Sequence, residues 1–328
     1  MKRIFIYLPV LLALLLSSCG GGSKKKTTMT SGTITLMCDN SFENILQQEI
    51  DVFEFQYPEA HILARYIPQK DAIDSLLEVK TKAIVIARDL NESERKILQK
   101  KKRQINSMKI AVDALALIVN PENTVEVLSK KEIGRILTGE LANWNDVEPS
   151  ELGEIKVVFD DVRSSTVEYM RDSLMNGQPF GKNVFAQGSI EGVFKAVKEH
   201  KNAIGIIGVS WITTDMTCSD ISTKELVDEL NDDSGVDMLE FSDSVKVLSV
   251  MDEDPAKFIP GGRKPYQEYI YDGSYPLFRQ IYMIITSVSG TLEHGFYTFV
   301  TSHNGQKLIL KTGVMPAVLH PQIVDLGN

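Results

Sequence analysis

Strand-like and helix-like patterns alternate along this chain, and the alternation constrains its fold more than any single motif does. Ile34 to Cys38 is an apolar run of strand length, Asp39-Asn40-Ser41 offers turn and capping side chains, and Phe42, Ile45, Leu46, Ile50 and Phe53 recur at helical spacing until Tyr57-Pro58 ends the run. The rhythm continues with strands expected at 61–67 and 83–87 and helices at 71–79 and 93–103. In the charged run 94–103, Ile97 and Leu98 supply an apolar stripe, which marks a solvated helix face rather than a nucleic-acid patch. Val112 to Val119 is the next strand; Ser129 with Glu132 forms a capping box ahead of Ile133, Ile136 and Leu137, and Gly139 closes that helix. The pattern is α/β rather than a bundle or a sandwich, and 43% hydrophobic residues suffice for one large or two medium cores, so two lobes are expected.

The first residues address the chain rather than fold it. Lys2 and Arg3 precede an apolar stretch from Ile4 to Leu16, too short to span a bilayer comfortably, and Leu16-Ser17-Ser18-Cys19 has the form of a lipoprotein cleavage site. Residues 1–18 are expected to be an export signal, Cys19 a lipid attachment point, and residues 19–32, with Gly20-Gly21-Gly22-Ser23-Lys24-Lys25-Lys26, a flexible tether. The expected location is extracytoplasmic, facing the periplasm from a bacterial membrane. Removing the leader takes the formal net charge from −9 to −11, which repels nucleic acid. With Cys19 lipidated, Cys38 and Cys218 remain, and both are expected to be buried free thiols.

After the expected strand at 155–159 comes Ser164-Ser165-Thr166, then a helix with Val167, Met170 and Leu174 inward. Helix N-termini leave backbone donors unpaired at the positive end of the dipole, so a hydroxyl-rich turn there can cradle an anion. The same residues also fit a plain capping box of Ser165 with Glu168. The residues alone leave both readings open. Catalytic and metal signatures are weak: His61, His200, His294, His303 and His320 are scattered, Gly208-Val209-Ser210 lacks the closing glycine of a nucleophile elbow because Ile212 stands there, and Gly261-Gly262-Arg263-Lys264-Pro265 lacks the spacing of a nucleotide loop. The tyrosines 266, 269, 271, 275 and 282 are expected to pack between lobes.

At this point the sequence resembles the phosphate-binding receptors of phosphate ABC transporters, within the type II periplasmic binding-protein class. The resemblance covers nearly the whole mature chain and is carried by Asp39-Asn40-Ser41-Phe42, Ala87-Arg88-Asp89-Leu90, the segments 113–120 and 128–139 with Asn143-Trp144, Ser164-Ser165-Thr166, and the segments 202–208, 273–277 and 304–313. It implies two α/β lobes joined by two hinge crossings, with residues 33–115 and 280–328 in lobe 1 and 116–279 in lobe 2. It further implies that Ser41, the backbone NH of Phe42, and Ser164, Ser165 and Thr166 contact an oxyanion, and that Arg88 matches an arginine in a short turn of many members.

Two departures from the family pattern stand out. Ser165 replaces a glycine that lets backbone approach the ligand. Asp160 stands where many relatives carry an arginine, so either it meets a ligand proton or it caps a turn, and Arg88 with Arg163 is the expected source of positive charge. The resulting expectation is a monomeric, lipid-anchored receptor for an inorganic oxyanion, foremost phosphate, that serves an ABC permease and uses no catalytic residue, metal or cofactor. The alternatives are a surface adhesin or sensor built on the same fold, or an extracytoplasmic serine hydrolase.

Overall fold

The computed structural model describes residues 27–213, 222–230 and 240–318. In chain order the strands are β1 (Gly32–Asp39), β2 (Ala60–Ile67), β3 (Ala83–Ile86), β4 (Asn106–Val119), β5 (Val127–Ser129), β6 (Lys156–Phe159), β7 (Val184–Ala186), β8 (Ala203–Gly208), β9 (Lys246–Val247), β10 (Ser249–Met251), β11 (Phe278–Ile285) and β12 (Met315–Pro316). The helices are α1 (Glu43–Gln56), α2 (Gln69–Leu77), α3 (Glu92–Lys100), α4 (Lys130–Thr138), α5 (Ser165–Leu174), α6 (Ile190–Glu199), α7 (Thr223–Leu230), α8 (Gln267–Tyr271), α9 (Leu292–Val300) and α10 (His303–Lys311).

Ten of the strands join into one sheet with two parts, and β5 pairs with β10 in a separate two-stranded sheet. One part carries the order β2-β1-β3-β11-β4, with β1 to β3 parallel and β11 antiparallel; the other runs β4-β8-β6-β7, with β6 to β8 parallel. The strand β4 belongs to both. Its residues Asn106 to Ala114 pair with β11, and its residues Leu115 to Val119 pair with β8. The apolar run 112–119 marks only the second half of that strand. Lys109 and Asn106 interrupt the apolar pattern upstream, where pairing with β11 on one side and β12 on the other keeps the backbone extended. The chain returns toward β11 through Leu277, whose carbonyl accepts from the Leu115 amide at 2.8 Å.

Local chemistry explains most element ends. Ser129 Oγ accepts from the Glu132 amide at 3.2 Å while Glu132 accepts from the Ser129 amide at 2.8 Å, and Gly139 takes φ 80° to close α4. A second capping box, Asn91 with Glu94, starts α3 one residue before the expected position, and the helix ends at Lys100 rather than 103. Of the two apolar residues expected under α3 only Leu98 is buried, while Ile97 is 40% exposed. Pro68, with its fixed φ, starts α2 two residues ahead of the expected position. The expected Ser165–Glu168 capping box does not form. Ser164 is the cap, accepting from the Val167 amide at 3.4 Å, and Glu168 turns instead to Gln69.

One large apolar cluster runs through both lobes, from Leu36 and Phe53 to Ile133 and Val158, and a smaller one under α2 and α3 holds Leu76, Ile84 and Leu98. Expectations at 1–26, which include Cys19, lie outside the described residues, as do Cys218 and His320. Cys38 is a buried free thiol. The last part of the expected tether is folded: the Thr28 amide donates to the Ser31 carbonyl at 3.0 Å, and the Met29 carbonyl lies where a side chain at Gly295 would sit, so α9 needs glycine there. Of the tyrosines, Tyr275 is at the crossing, its hydroxyl donating to the Leu115 carbonyl at 2.6 Å, whereas Tyr266 stacks on Phe241 and Tyr282 bonds Gln280.

Candidate functional site

The carboxyl ends of β1 and β6 point at each other across the lobes, the position where open α/β sheets gather ligands. From β1 come Asp39, Asn40, Ser41 and Phe42. Asp39 accepts from the Ser41 amide at 3.0 Å and so starts the helical turn that leads into α1. From β6 come Asp160 and, one turn on, Ser164, Ser165 and Thr166 at the N-terminus of α5. All of these but Asn40 are buried.

The charge at the centre is Arg279 of β11, 4% exposed. Its Nη1 donates to Ser165 Oγ at 2.6 Å and Thr166 Oγ1 at 3.3 Å, its Nε donates to Asp113 Oδ2 at 3.0 Å, and Nη2 lies 2.9 Å from the same oxygen. The guanidinium also lies over the Phe42 ring, 4.7 Å from its centroid. Gly208 makes room for the pair, since a β-carbon there would come within 3.1 Å of Asp113 Oδ2. Ser165 Oγ in turn donates to Asp39 Oδ1 at 2.9 Å and is 3.5 Å from Ser41 Oγ. Asn40 Nδ2 reaches Asp160 Oδ2 at 3.4 Å.

Burial pushes the Asp113 carboxyl above its usual range even though Arg279 pulls it down, and burial likewise pushes Asp160 up. Several polar atoms here find no hydrogen-bond partner, namely Asp39 Oδ2, Asn40 Oδ1, Asp113 Oδ1 and Asp160 Oδ1, while Arg279 Nη2 meets the Asp113 oxygen that Nε already uses. Buried polar atoms are normally satisfied, so this concentration marks a place built to receive a polar guest.

Around the centre the lobes are stitched together. Trp211 Nε1 donates to the Ser41 carbonyl at 2.9 Å, Asn44 and Ser210 exchange bonds of 2.8 and 3.2 Å, and Gln69 Nε2 donates to Glu168 at 2.6 Å. The two arginines expected to supply charge sit at this rim. Arg88 holds Glu94 with two nitrogens, at 2.9 and 2.8 Å, and its Nε lies 4.0 Å from Glu168. Arg163 is 58% exposed in its side chain and pairs with Asp71 at 3.2 Å and Asp161 at 3.6 Å. Ser41, Phe42, Ser165 and Thr166 therefore come together with Arg279, Asp39 and Asp113, which the sequence reading did not select. A signal existed: Arg279 falls in phase with Ile281, Met283 and Ile285 on the buried side of a strand, while Phe278 and Gln280 are exposed.

Among the described residues no cluster of three or more His, Cys, Asp or Glu is arranged to hold a metal ion, and no helix is long and apolar enough to cross a membrane.

Comparison with known proteins identifies the family and the fold. The family model for the PBP superfamily domain matches residues 23–304. The phosphate-binding protein PstS of Pseudomonas aeruginosa is 20% identical over 316 residues, which cover 90% of this chain and 88% of the relative; PstS of Staphylococcus saprophyticus is 23% identical over 216 residues, 65% of this chain and 57% of the relative. Among solved structures, an ABC-type phosphate transport receptor from Vibrio cholerae superposes with a TM-score of 0.61 at 20% identity, covering 87% of this chain and all of the other. A Clostridium perfringens protein solved with phosphate bound superposes with a TM-score of 0.68 at 20% identity and the same coverage.

Proposed function

The chain belongs to the PBP superfamily, and we propose that it is an extracytoplasmic receptor that captures an inorganic oxyanion, foremost phosphate, between its lobes and passes it to an ABC permease. The observation that carries this reading is the Arg279 guanidinium, buried between the lobes, paired with Asp113 through Nε and Nη2 and aiming Nη1 at the hydroxyls of a helix N-terminus. Permanent charge in a planar fork, hydroxyl donors and unpaired backbone NH groups are what a tetrahedral oxyanion needs in a site that excludes water. The phosphate-binding names of the curated relatives support the choice of anion.

In this reading Arg279, Ser41, the Phe42 NH, Ser164, Ser165 and Thr166 contact the anion, and Asp113 holds Arg279 in place. Arg88 and Arg163 join the lobes at the rim. Residues 33–115 and 280–328 form one lobe and 116–279 the other, a division supported by the change of partner within β4 after Ala114. After loss of residues 1–18, Cys19 carries the lipid that keeps the monomer at the membrane. No catalytic step is involved: Ser164 Oγ is used as a cap, Ser165 Oγ donates to a carboxylate, and Ser210 pairs with Asn44.

A thermal-shift panel of phosphate, arsenate, sulfate and molybdate tests the reading. A ligand at about 100 times its dissociation constant stabilises by about 2.7 kcal/mol, so phosphate should raise the midpoint clearly. A panel in which no oxyanion moves it would exclude the receptor reading.

A further inference from the structure

The basic run that closes α3 takes no part in the oxyanion site, and the topology gathers it with other cations at one end of lobe 1. Ile285 of β11 stands in register with Ala83, where β3 begins, and with Asn106, where β4 begins. The loops at this end therefore emerge together: Lys80 and Lys82 ahead of β3, Lys100, Lys101, Lys102 and Arg103 ahead of β4, and the turn 286–291 after β11. Two bonds tie them to one another, from Lys101 Nζ to the Leu77 carbonyl at 2.7 Å and from the Thr286 amide to the Lys82 carbonyl at 2.8 Å. Arg103 is half-buried and the other five cations are exposed. Glu78 pairs with Lys80 at 2.5 Å, and the buried Glu293 lies 3.8 Å from Lys82; among the described residues no carboxylate pairs with Lys100, Lys102 or Arg103.

The chain ahead of β1 leaves from the same end. Glu293, the neighbour of Lys82, is two residues before Gly295, against which the Met29 carbonyl closes. From Thr27 back to Cys19 is a reach of at most about 29 Å, and Lys24, Lys25 and Lys26 fall within it. Met29 and Val288 are 38% and 63% exposed beside the cations. The oxyanion site lies at the other end of the same strands: Arg279 and Ile285, near the two ends of β11, are about 20 Å apart at the rise of a strand.

We propose that this end of lobe 1 is a membrane-docking face, which rests on the anionic lipid headgroups of the bilayer that holds the Cys19 lipid and directs the cleft away from it. Residues 19–328 carry a net charge of −11, so an anionic surface repels the chain as a whole. A short tether beside such a surface leaves one favourable orientation, with the cations of α3 and β3 inward, where each Lys or Arg gains from the surface potential. Val288 and Met29 then meet the headgroup layer, as exposed apolar side chains of interfacial proteins do.

The proposal rests on the anchored reading above, and the experiment uses a chain without lipid so that face and anchor fail separately. The whole chain from residue 19 onward, carrying Cys19→Ser, is sedimented with vesicles of phosphatidylcholine alone and with vesicles containing about one third phosphatidylglycerol, the unfolding midpoint of every variant being followed to confirm the fold. The unlipidated chain should bind the anionic vesicles, not the neutral ones, and should be released as ionic strength rises. Replacing Lys100, Lys102 and Arg103 together by Gln should weaken binding about a hundredfold, about fivefold for each cation, the equivalent of about 1 kcal/mol apiece. Replacing Lys195, Lys198 and Lys201 of lobe 2 by Gln removes the same charge from another surface and should leave binding unchanged. Equal losses in the two variants reduce the effect to net charge and overturn the face. Binding that survives the first variant and vanishes when Lys24, Lys25 and Lys26 become Gln assigns the attraction to the tether and also overturns it. Equal binding to neutral and anionic vesicles overturns it as well, while the mass of the native protein decides by itself whether Cys19 is acylated.

Discussion

Asp39 and Arg279, on strands of opposite direction, are joined through a single hydroxyl: Ser165 Oγ donates to Asp39 Oδ1 at 2.9 Å and accepts from Arg279 Nη1 at 2.6 Å. The link makes Ser165 the place where the second lobe engages the first. Its side chain holds the buried arginine and a carboxylate in one network. Ser165→Ala should lower the stability of the ligand-free protein by about 1–3 kcal/mol, because two buried partners lose their bond together. Denaturant titration checks this, and an unchanged midpoint would show that the network contributes nothing.

Among the described residues Asp113 is the carboxylate that Arg279 grips, and both are buried. Asp113→Asn should therefore destabilise the ligand-free chain by about 3–5 kcal/mol, since a buried guanidinium is left without its counter-ion. Saturating phosphate should recover a larger share of stability in this variant than in wild type, because the ligand then supplies the missing negative charge. Equal recovery in the two proteins would mean that the anion does not meet Arg279.

The rim arginines should separate by exposure. Arg163→Ala removes a pair whose two side chains are 58% and 45% exposed and should change stability by no more than about 1 kcal/mol. Arg88→Ala removes both bonds to Glu94, whose own carboxyl is held below its usual range by Arg88 and the Asn91 amide against the opposing effect of burial, and should cost more. Neither should change phosphate affinity as strongly as substitution of Arg279. Affinity lost with Arg88→Ala but kept with Arg279→Ala would return the binding charge to the rim.

Much of the fold can be read from the residues, and the site only in part. Apolar periodicity and capping chemistry locate β1, α1 and the Ser129 box because those signals are local. Position within a cleft is not local. Arg88 and Arg163 follow strand ends and look available, yet Glu94 and Asp71 claim them once the chain is folded. Arg279 lies next to Gln280 in a stretch that reads as ordinary strand, and only its phase against Ile281 and Met283 betrays that a charge has been turned inward. Asp113, within the apolar run of β4, is intelligible only as the partner of that arginine.

Glu49 lies inside α1 with both carboxylate oxygens unpartnered, and burial raises its carboxyl well above the usual range. The folded chain therefore keeps this proton at pH values where the unfolded chain has released it. Stability is fully retained below about pH 4.3, the ordinary glutamate value, and declines above it by up to about 1.4 kcal/mol per pH unit until the folded form also ionises. Glu49→Gln should remove that slope and be more stable than wild type at neutral pH. Parallel stability curves for the two proteins across this range would show that Glu49 is not buried as a neutral acid.

Arg279 as the anion's partner is tested most directly by calorimetric titration of inorganic phosphate into wild type and Arg279→Ala, just below neutral pH and with circular dichroism confirming the fold. Wild type should bind one phosphate per chain, and the variant should lose at least about a hundredfold in affinity, the equivalent of about 2.8 kcal/mol. Equal affinities in two folded proteins would contradict the central claim.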